Sequence, residues 1–396
     1  MVSLPENMTP PLSCDNLGGV FGPDPTQYAM TSVLGQCCDD AGQVYLAVYL
    51  PTNTPIALKK FNMDKAKDEM DNIQNEIILT RQLRHPNVVV INAAFVLDNY
   101  ICVVSPLMAF GSCRDLLNRH FTEGLPELAI AFILKDVLLA LDYIHKKGYI
   151  HRAVRASHIL INEYGQAVLS GLRYACRLVK NGRWQRNVHS FPSSTSRNLN
   201  WLSPELLEQN MQGYNEKSDM YSLGVTACEL ANGMAPFQDH PPTLMLTEKV
   251  RGFAPVLLDF TTCPQYSDTG QQNSNPNQAH GMPSDAINSG VGDSVGSNGN
   301  SLEGGGLASR RFTDHFHRFS ELCLQRDPEH RPSAAQLLLH SFFKLPKRMN
   351  APPLPQLLHP VIPLTKVVLG TESSEDFFGV ADRLSDLDLN TCEWDF

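Results

Sequence analysis

The hydrophobic periodicity of this chain changes once, near Gly111, and that change limits the folds available to it. Before Gly111 apolar residues alternate with others, as in 44–50 and 56–61, which predicts β-strands joined by tight turns. After Gly111 they recur every three to four residues, most clearly between Pro126 and Gly148, which predicts amphipathic helices. A small strand-rich part therefore precedes a larger helical part, and the predicted fold class is α+β with two lobes.

Further elements follow from the same patterns. One helix is predicted within the strand-rich part, after 56–61, with Ile73, Ile77 and Thr80 on one side. The apolar runs 88–97 and 100–104 then predict two more strands, which flank a short turn. Helices are predicted over 219–232 and from Ser333 onward, where Ser333 and Gln336 have the spacing of a capping box.

Composition excludes several classes of protein. A chain of 396 residues with 42% hydrophobic residues can bury a large core, and its net charge of −9 argues against nucleic-acid binding. The longest apolar run, 128–144, contains three charged residues and predicts no membrane span. Residues 1–22 show no secretory leader, and the ten cysteines lack zinc or redox spacing. The expected location is therefore the cytoplasm, with the nucleus as a second compartment.

Composition also predicts the domain boundaries. Residues 1–27 are expected to form a disordered N-terminus, and 28–345 a single folded domain. Within it, 261–310 contains nine Gly, eight Ser and six Asn, which predicts a disordered insertion. Residues 346–396 read as a tail, first Pro-rich and then acidic.

Several short motifs stand in a fixed order along these elements. Lys59 ends the strand sequence Ile-Ala-Leu-Lys, and Glu76 follows seventeen residues later on a predicted helix. The others are His-Pro-Asn-Val from His85, Tyr-Ile-His-Arg from Tyr149, Ser-Pro-Glu from Ser203, Asp219 before Tyr-Ser-Leu-Gly, and Arg331. Their order and spacing resemble those of protein kinases, from about residue 28 to 343. The resemblance implies the two-lobed protein-kinase fold, with a strand-rich N-lobe and a helical C-lobe.

Three positions that kinases use for chemistry carry unsuitable side chains here. In the H-R-D-x-x-x-x-N pattern the aspartate position is Ala153 and the asparagine position is His158, while the D-F-G aspartate position is Gly171. Phosphoryl transfer needs an aspartate beside the attacking hydroxyl, and an asparagine and another aspartate to hold Mg²⁺. Alanine and glycine cannot bind a cation, and histidine is a poor ligand for Mg²⁺. The sequence therefore predicts a pseudokinase without catalytic residues and without a metal site.

Cationic residues accompany these losses. Arg155 and Arg173, with the titratable His158, lie where a kinase holds its metal ion, so they could neutralise phosphates directly. Arg155 and Arg173 could equally form salt bridges within the protein, and residue type alone does not decide between the two roles. The Lys59–Glu76 pair favours nucleotide binding, because a buried ion pair is costly to retain without a use.

The hinge and the glycine-rich loop complete the predicted nucleotide site. A kinase hinge offers adenine one carbonyl and one N–H, which Pro106 and Met108 can still supply. The glycine-rich loop is eroded, since Gly35 and Gly42 stand seven residues apart. The predicted ligand is ATP without Mg²⁺, and the predicted binding residues are Gly35, Ala57, Lys59, Glu76, Pro106, Met108, Arg155, His158 and Arg173.

Longer segments carry a narrower resemblance. Residues 151–161, 171–173, 201–205 and 226–233 closely resemble the STRAD pseudokinases, adaptors related to the sterile-twenty kinases. The resemblance implies an inactive kinase fold that binds ATP and binds liver kinase B as a pseudosubstrate. It also implies a helical-repeat scaffold protein of the Mo-twenty-five type as a third member of the complex.

Two segments are the expected docking sites. Trp394, Asp395 and Phe396 resemble the family's W-E-F motif, which docks the scaffold, and two aromatics beside an acid suit an apolar and basic groove. The alternative is a solvated acidic tail. The segment 174–200, rich in arginine and aromatic residues, is the expected surface for the partner kinase, the alternative being an exposed basic loop without a partner.

Two other functions remain open at this point. The chain could be a weak or atypical metal-independent serine/threonine kinase that uses Lys59, or a scaffold whose cleft binds nothing. All three proteins would share one fold, so periodicity does not separate them.

Overall fold

The structure is a computed structural model, and it describes residues 21–37, 41–180, 182–191, 198–209, 211–238, 240–262 and 310–368. Three predictions fall on other residues: disorder over most of 1–27, disorder over 263–309, and the docking motif at 394–396. They lie outside the described residues.

The strand-rich part is an antiparallel sheet of five strands in the order β1-β2-β3-β5-β4. Its elements are β1 (Tyr28–Cys37), β2 (Gly42–Tyr49), β3 (Thr54–Asn62), helix α1 (Met70–Gln82), β4 (Ala93–Leu97) and β5 (Tyr100–Pro106). The apolar run 88–97 was predicted as one strand, and this is wrong: only its second half pairs with β5. Val88 and Val89 instead pair with Leu169 of the helical part, so the run links the two lobes.

The helical part is built around two helices, α3 and α5, whose buried apolar side chains form much of the main core. Its helices up to the end of the kinase-like region are α2 (Cys113–Arg119), α3 (Glu127–Lys146), α4 (Pro204–Glu208), α5 (Lys217–Asn232), α6 (Pro242–Arg251), α7 (Asp314–Cys323) and α8 (Ala334–Leu337). The predicted capping box at the start of α8 is confirmed, because Ser333 and Gln336 bond each other's main-chain N–H groups.

Three short antiparallel ladders fix the loops between the lobes. They pair β6 (Tyr149–Ile150) with β9 (Cys176–Arg177), β7 (Ile159–Ile161) with β8 (Ala167–Leu169), and β10 (Val179–Lys180) with β11 (Arg183–Trp184). The β7–β8 ladder places the loop before β7 and the triplet after β8 side by side. Residues thirteen positions apart in sequence, His158 and Gly171, therefore meet.

The chain after residue 344 continues to pack on the domain through α9 (Leu345–Arg348), α10 (Leu354–Leu357) and α11 (Leu364–Val368). Leu354 and Leu358 are buried in the core of the helical part. The Leu364 N–H donates to the Ala109 carbonyl at 2.8 Å, just past the hinge. This C-terminal segment, residues 345–368, was assigned by sequence mostly to the tail, yet it belongs to the folded body.

The two ends of the segment 263–309 meet at a common point. The Phe260 N–H donates to the Arg310 carbonyl at 2.9 Å. The buried Asp259 carboxylate accepts from the Phe312 N–H and from His317, each at 2.9 Å. Residues 260 and 310 are therefore neighbours in space, and both lie within the helical part.

Within the described ranges, no helix combines the length and the apolar character that crossing a bilayer requires. The six cysteines in those ranges are free thiols. Burial raises the pKa of the Cys228 thiol to about 12.

Candidate functional site

A buried cluster of one carboxylate and two cations lies between the sheet and α1. Lys59 on β3 has its Nζ 3.4 Å from Glu76 Oε1 on α1. Arg173 has its Nε 3.5 Å from the other oxygen of the same carboxylate. All three side chains are buried. The predicted Lys59–Glu76 pair is therefore present, and Arg173 shares its anion.

Arg173 also belongs to the contact that holds α1 in place. The Asn75 side chain donates to the carbonyls of Arg173 and Ala175, at 3.3 and 3.4 Å. Glu76 and Asn75 thus tie the helix to the turn 172–174 by side chain and by main chain. The internal ion pair, one of the two roles that the sequence left open for Arg173, is present, and a phosphate contact stays a prediction.

His158 and Gly171 are packed against each other at the centre of the site. Gly171 has φ of +84°, and a Cβ built on it would stand 2.8 Å from Cγ and Nδ1 of the His158 ring. The ring is fully buried, and its Nδ1 donates to the Ala153 carbonyl. The side chain at 158 therefore occupies the space that a side chain at 171 would need. The three positions that lack the side chains of an active kinase, Ala153, His158 and Gly171, are therefore in direct or near contact.

Arg155 is turned into the helical part. Its Nη2 lies 3.5 Å from His158 Nε2, which can only accept because Nδ1 is the donor. Its guanidinium stacks over the Trp201 ring at 5.6 Å. The Trp201 indole in turn donates to the buried Glu229 carboxylate at 2.8 Å. Arg155 and His158 therefore form a buried chain toward Trp201, and their predicted contact with phosphates stays a prediction.

Burial raises the pKa of Glu229, and Arg114, at 3.5 Å, opposes that rise. Glu229 also accepts from the Ala156 N–H at 3.0 Å, just before His158. Sequence reasoning missed this residue, and the only available signal was an acidic residue in the middle of an otherwise buried helix.

The predicted adenine-binding residues lie at the lobe junction. Ala57 and Met108 are buried in one apolar cluster with Leu160 of β7. Pro106 ends β5, opposite Ile56 of β3. The main-chain bonds of the described residues use the Met108 carbonyl, which accepts from Gly111, and not its N–H. The Met108 N–H thus stays available as a hydrogen-bond donor beside an apolar surface.

The described part of the glycine-rich loop is regular strand. Gly35 lies in β1 opposite Val44, next to a bulge. A Cβ on Gly42 would stand 2.6 Å from the Cys37 sulfur and 2.8 Å from the Phe61 ring. Close packing thus requires glycine at 42, while residues 38–40 lie outside the described part.

The frame beneath the site is centred on Asp219. Its carboxylate accepts from the His151 and Arg152 N–H groups, both at 2.8 Å, and from His145 at 2.7 Å. Burial alone would raise the pKa of Asp219, but these donors hold it below its usual value. The loop that carries residues 151–158 is therefore held by the Asp219 carboxylate beneath it.

The activation segment spans residues 174–200, and its described part is held at Tyr174 and Ser190 by a cation that binds neutral acceptors. The Arg152 guanidinium donates to the carbonyls of Tyr174 and Ser190 and to the Tyr214 hydroxyl. Tyr214 also pairs with Val188 through two main-chain bonds. Sequence reasoning missed Tyr214, because nothing in its local pattern indicates this distant contact.

Within the described residues, no group of three or more histidine, cysteine or acidic side chains is arranged to hold a metal ion.

Comparisons with known proteins cover nearly the whole chain. A model of the protein kinase domain matches residues 28–343. STE20-related kinase adapter protein alpha of Pongo abelii is 43% identical over 394 residues, 98% of this chain and 88% of the relative. The Homo sapiens protein of that name is 44% identical over 384 residues, 95% of this chain and 86% of the relative. STE20-related kinase adapter protein beta of Homo sapiens is 39% identical over 363 residues, 89% and 84% of the two chains.

Proposed function

This chain belongs to the family of STE20-related kinase adapter proteins, and we propose that it is a catalytically inactive adaptor. It binds ATP without hydrolysing it and activates a partner serine/threonine kinase allosterically. The partner is a kinase of the liver kinase B type, and a scaffold of the Mo-twenty-five type completes the complex. The complex forms in the cytoplasm, with the nucleus as a second compartment.

The fit between His158 and Gly171 is the observation that supports inactivity most. Kinases use these two positions to hold Mg²⁺. Here neither side chain can do so, and a side chain at 171 would collide with the ring at 158. The changes at 158 and 171 are therefore coupled through packing and are not two independent changes, as expected for a protein that needs the fold but not phosphoryl transfer.

The remaining residues suit a nucleotide without a metal ion. The apolar surface around Ala57 and the Met108 N–H fit a purine, and Lys59 supplies a buried cation. With Ala153 and Gly171 at the acidic positions, no carboxylate there repels phosphate oxygens. Bound ATP would add a polyanion between the lobes. Met108 would orient its base, and Lys59, with Arg155 and Arg173 behind it, would balance its charge. His158 would add to this charge only in its protonated form.

Calorimetric titration of the full chain with ATP in EDTA tests the nucleotide site. Binding is expected without Mg²⁺, and Lys59→Met should weaken it about 10- to 100-fold, since one charge-assisted contact contributes about 1.5–3 kcal/mol. Lys60→Met is the matched control, because the Lys60 ammonium lies over the Tyr100 ring at 4.1 Å and not beside Glu76. Binding that requires Mg²⁺, or that is equal in both variants, would contradict the proposal.

The partner proposal uses two surfaces. The activation segment exposes Arg183, Trp184 and Arg186, a mixture of cations and an aromatic ring typical of interfaces. The sequence 394–396 is the proposed anchor for the scaffold.

Co-purification of the partner kinase and the scaffold with the full chain tests both surfaces. A chain that ends before Trp394 should lose the scaffold. The Arg183→Glu variant should lose the partner kinase more readily than the scaffold. Unchanged recovery of both partners with both variants would refute the partner proposal.

One observation favours the second candidate, a weak metal-independent kinase: the buried Lys59–Glu76 pair is intact. A phosphotransfer assay with purified protein distinguishes the two functions. Turnover that disappears in Lys59→Met would show that the protein is an active kinase. It would refute the proposal that the adaptor is catalytically inactive.

A further inference from the structure

Lys249 of α6 holds the end of the activation segment from below. Its side chain is fully buried. Its Nζ donates hydrogen bonds to the main-chain carbonyls of Leu199, Asn200 and Leu202, at 3.2, 2.5 and 2.9 Å. One side chain thus binds three carbonyls within four residues.

Among the described residues, no anion balances this ammonium group. Its hydrogen-bond acceptors within the described residues are all main-chain oxygens, and no described carboxylate lies within ion-pair distance. It lies instead over the rings of Tyr221 and Phe237, 5.6 and 5.4 Å from their centroids. Burial lowers the pKa of Lys249 to about 7, so its charged form depends on the carbonyls and rings around it.

The neighbouring cation, Arg331, is different. It binds the Glu205 carboxylate through two nitrogens, at 2.6 and 2.9 Å, and also lies over Tyr221. A compensated ion pair of this kind fixes a side chain. Lys249 instead fixes the main chain just before Glu205, at a cost in desolvation that an apolar side chain of similar length would avoid.

The held segment connects to the centre of the site. Trp201 lies between the carbonyls bound by Lys249, and its ring contacts Arg155 while its indole N–H binds Glu229. Ser222 also donates to the Trp201 carbonyl at 2.8 Å. The orientation of the main chain at 199–202 therefore determines where the Trp201 ring stands relative to Arg155 and Glu229.

We propose that Lys249 is a positioning residue for the C-terminal end of the activation segment, the segment proposed to bind the partner kinase. It fixes the main chain there by binding the carbonyls of residues 199, 200 and 202. The identity of the partner rests on the proposed function, whereas the local effect does not. ATP binding at the cleft should depend on this lysine less than partner binding does. Lys249 reaches the cleft only through Trp201 and Arg155, and the contacts it makes do not include Lys59 or the hinge.

The test compares Lys249→Met with Arg251→Met, a charge loss on the same helix at an exposed residue. Hydrogen exchange should become at least tenfold faster at 198–202 in Lys249→Met and stay unchanged in α3. Affinity for the partner kinase should fall at least tenfold, while affinity for ATP should fall by a smaller factor. Arg251→Met should match the wild type in every measurement. Lys249→Gln, which keeps two N–H donors, should lie between Lys249→Met and the wild type.

Wild-type exchange at 198–202 in Lys249→Met would overturn the proposal. So would faster exchange in α3 together with equal losses of partner and ATP affinity, because these would indicate general destabilisation. If Lys249→Met does not fold, the same readouts in Lys249→Gln decide. If the wild type fails to bind any partner kinase, the proposed function fails, and the exchange result still decides the role of Lys249.

Discussion

Replacing Gly171 by alanine measures how tightly His158 fills the space beside it. Gly171 has φ of +84°, and an alanine in that left-handed region costs about 1–2 kcal/mol. The new Cβ would also stand 2.8 Å from the His158 ring, which cannot withdraw because it is buried and bonded to Ala153. Such overpacking costs about 1–3 kcal/mol, so the total expected loss is about 2–5 kcal/mol.

Scanning fluorimetry of the full chain should detect this loss. Each kcal/mol lowers Tm by about 2–4 °C in a domain of this size, so Gly171→Ala should lower Tm by roughly 4–20 °C. Gly182→Ala is the matched control. Gly182 also has a positive φ, of +73°, but nothing lies within 4 Å of its Cβ position, so only the backbone part should be lost.

A double-mutant cycle with His158→Ala then separates the collision from the backbone strain. Once the ring is removed, the methyl group added at position 171 meets free space, so the substitution at 171 should cost about 1–3 kcal/mol less than it does beside His158. Equal Tm losses for Gly171→Ala and Gly182→Ala, or purely additive effects in the cycle, would refute the packing argument.

Three further predictions concern stability. Burial raises the pKa of Asp136 to about 6, so its ionised form destabilises the fold above that pH. In urea denaturation, Asp136→Asn should gain about 1–3 kcal/mol at pH 7.5, and the gain should shrink as the pH falls through 6 toward 4. A short glycine-serine linker in place of 263–309 should leave Tm within a few degrees, because Phe260 and Arg310 already bond to each other; a large fall would contradict this. A chain that ends after Val368 should melt like the full chain. One that ends after Pro353 loses the buried side chains Leu354 and Leu358, and each lost leucine should cost roughly 2 kcal/mol or more of stability. Its Tm should therefore be at least about 5 °C lower.

The fold and the ion pair could be predicted because their signals are local. Lys59 and Glu76 lie on consecutive elements, so their separation in sequence limits their separation in space. The capping box at Ser333 is likewise a property of four consecutive residues. Motifs of this kind depend on short stretches of the chain, and they can be recognised without knowledge of the rest of it.

The remaining contacts depend on tertiary packing. The collision between His158 and Gly171 exists only because the β7–β8 ladder aligns the two loops, and the carbonyls that Lys249 binds lie about fifty residues before it. The C-terminal segment was misjudged for a similar reason. Its prolines resemble those of a tail, while its anchors are two leucines four residues apart, too few to define an amphipathic period.

The position of α11 makes lobe motion accessible to optical measurement. Because Leu364 is bonded to Ala109, the residues next to it are a fixed reference point at the hinge. Ile362 and Val96 are both exposed, one beside α11 and one on β4 at the edge of the sheet. Unnatural amino acids at these two sites could carry a donor and an acceptor dye without using the native cysteines. Energy transfer between the dyes would then report any change in the distance between the edge of the sheet and the hinge in real time, in the free protein and during assembly with its partners.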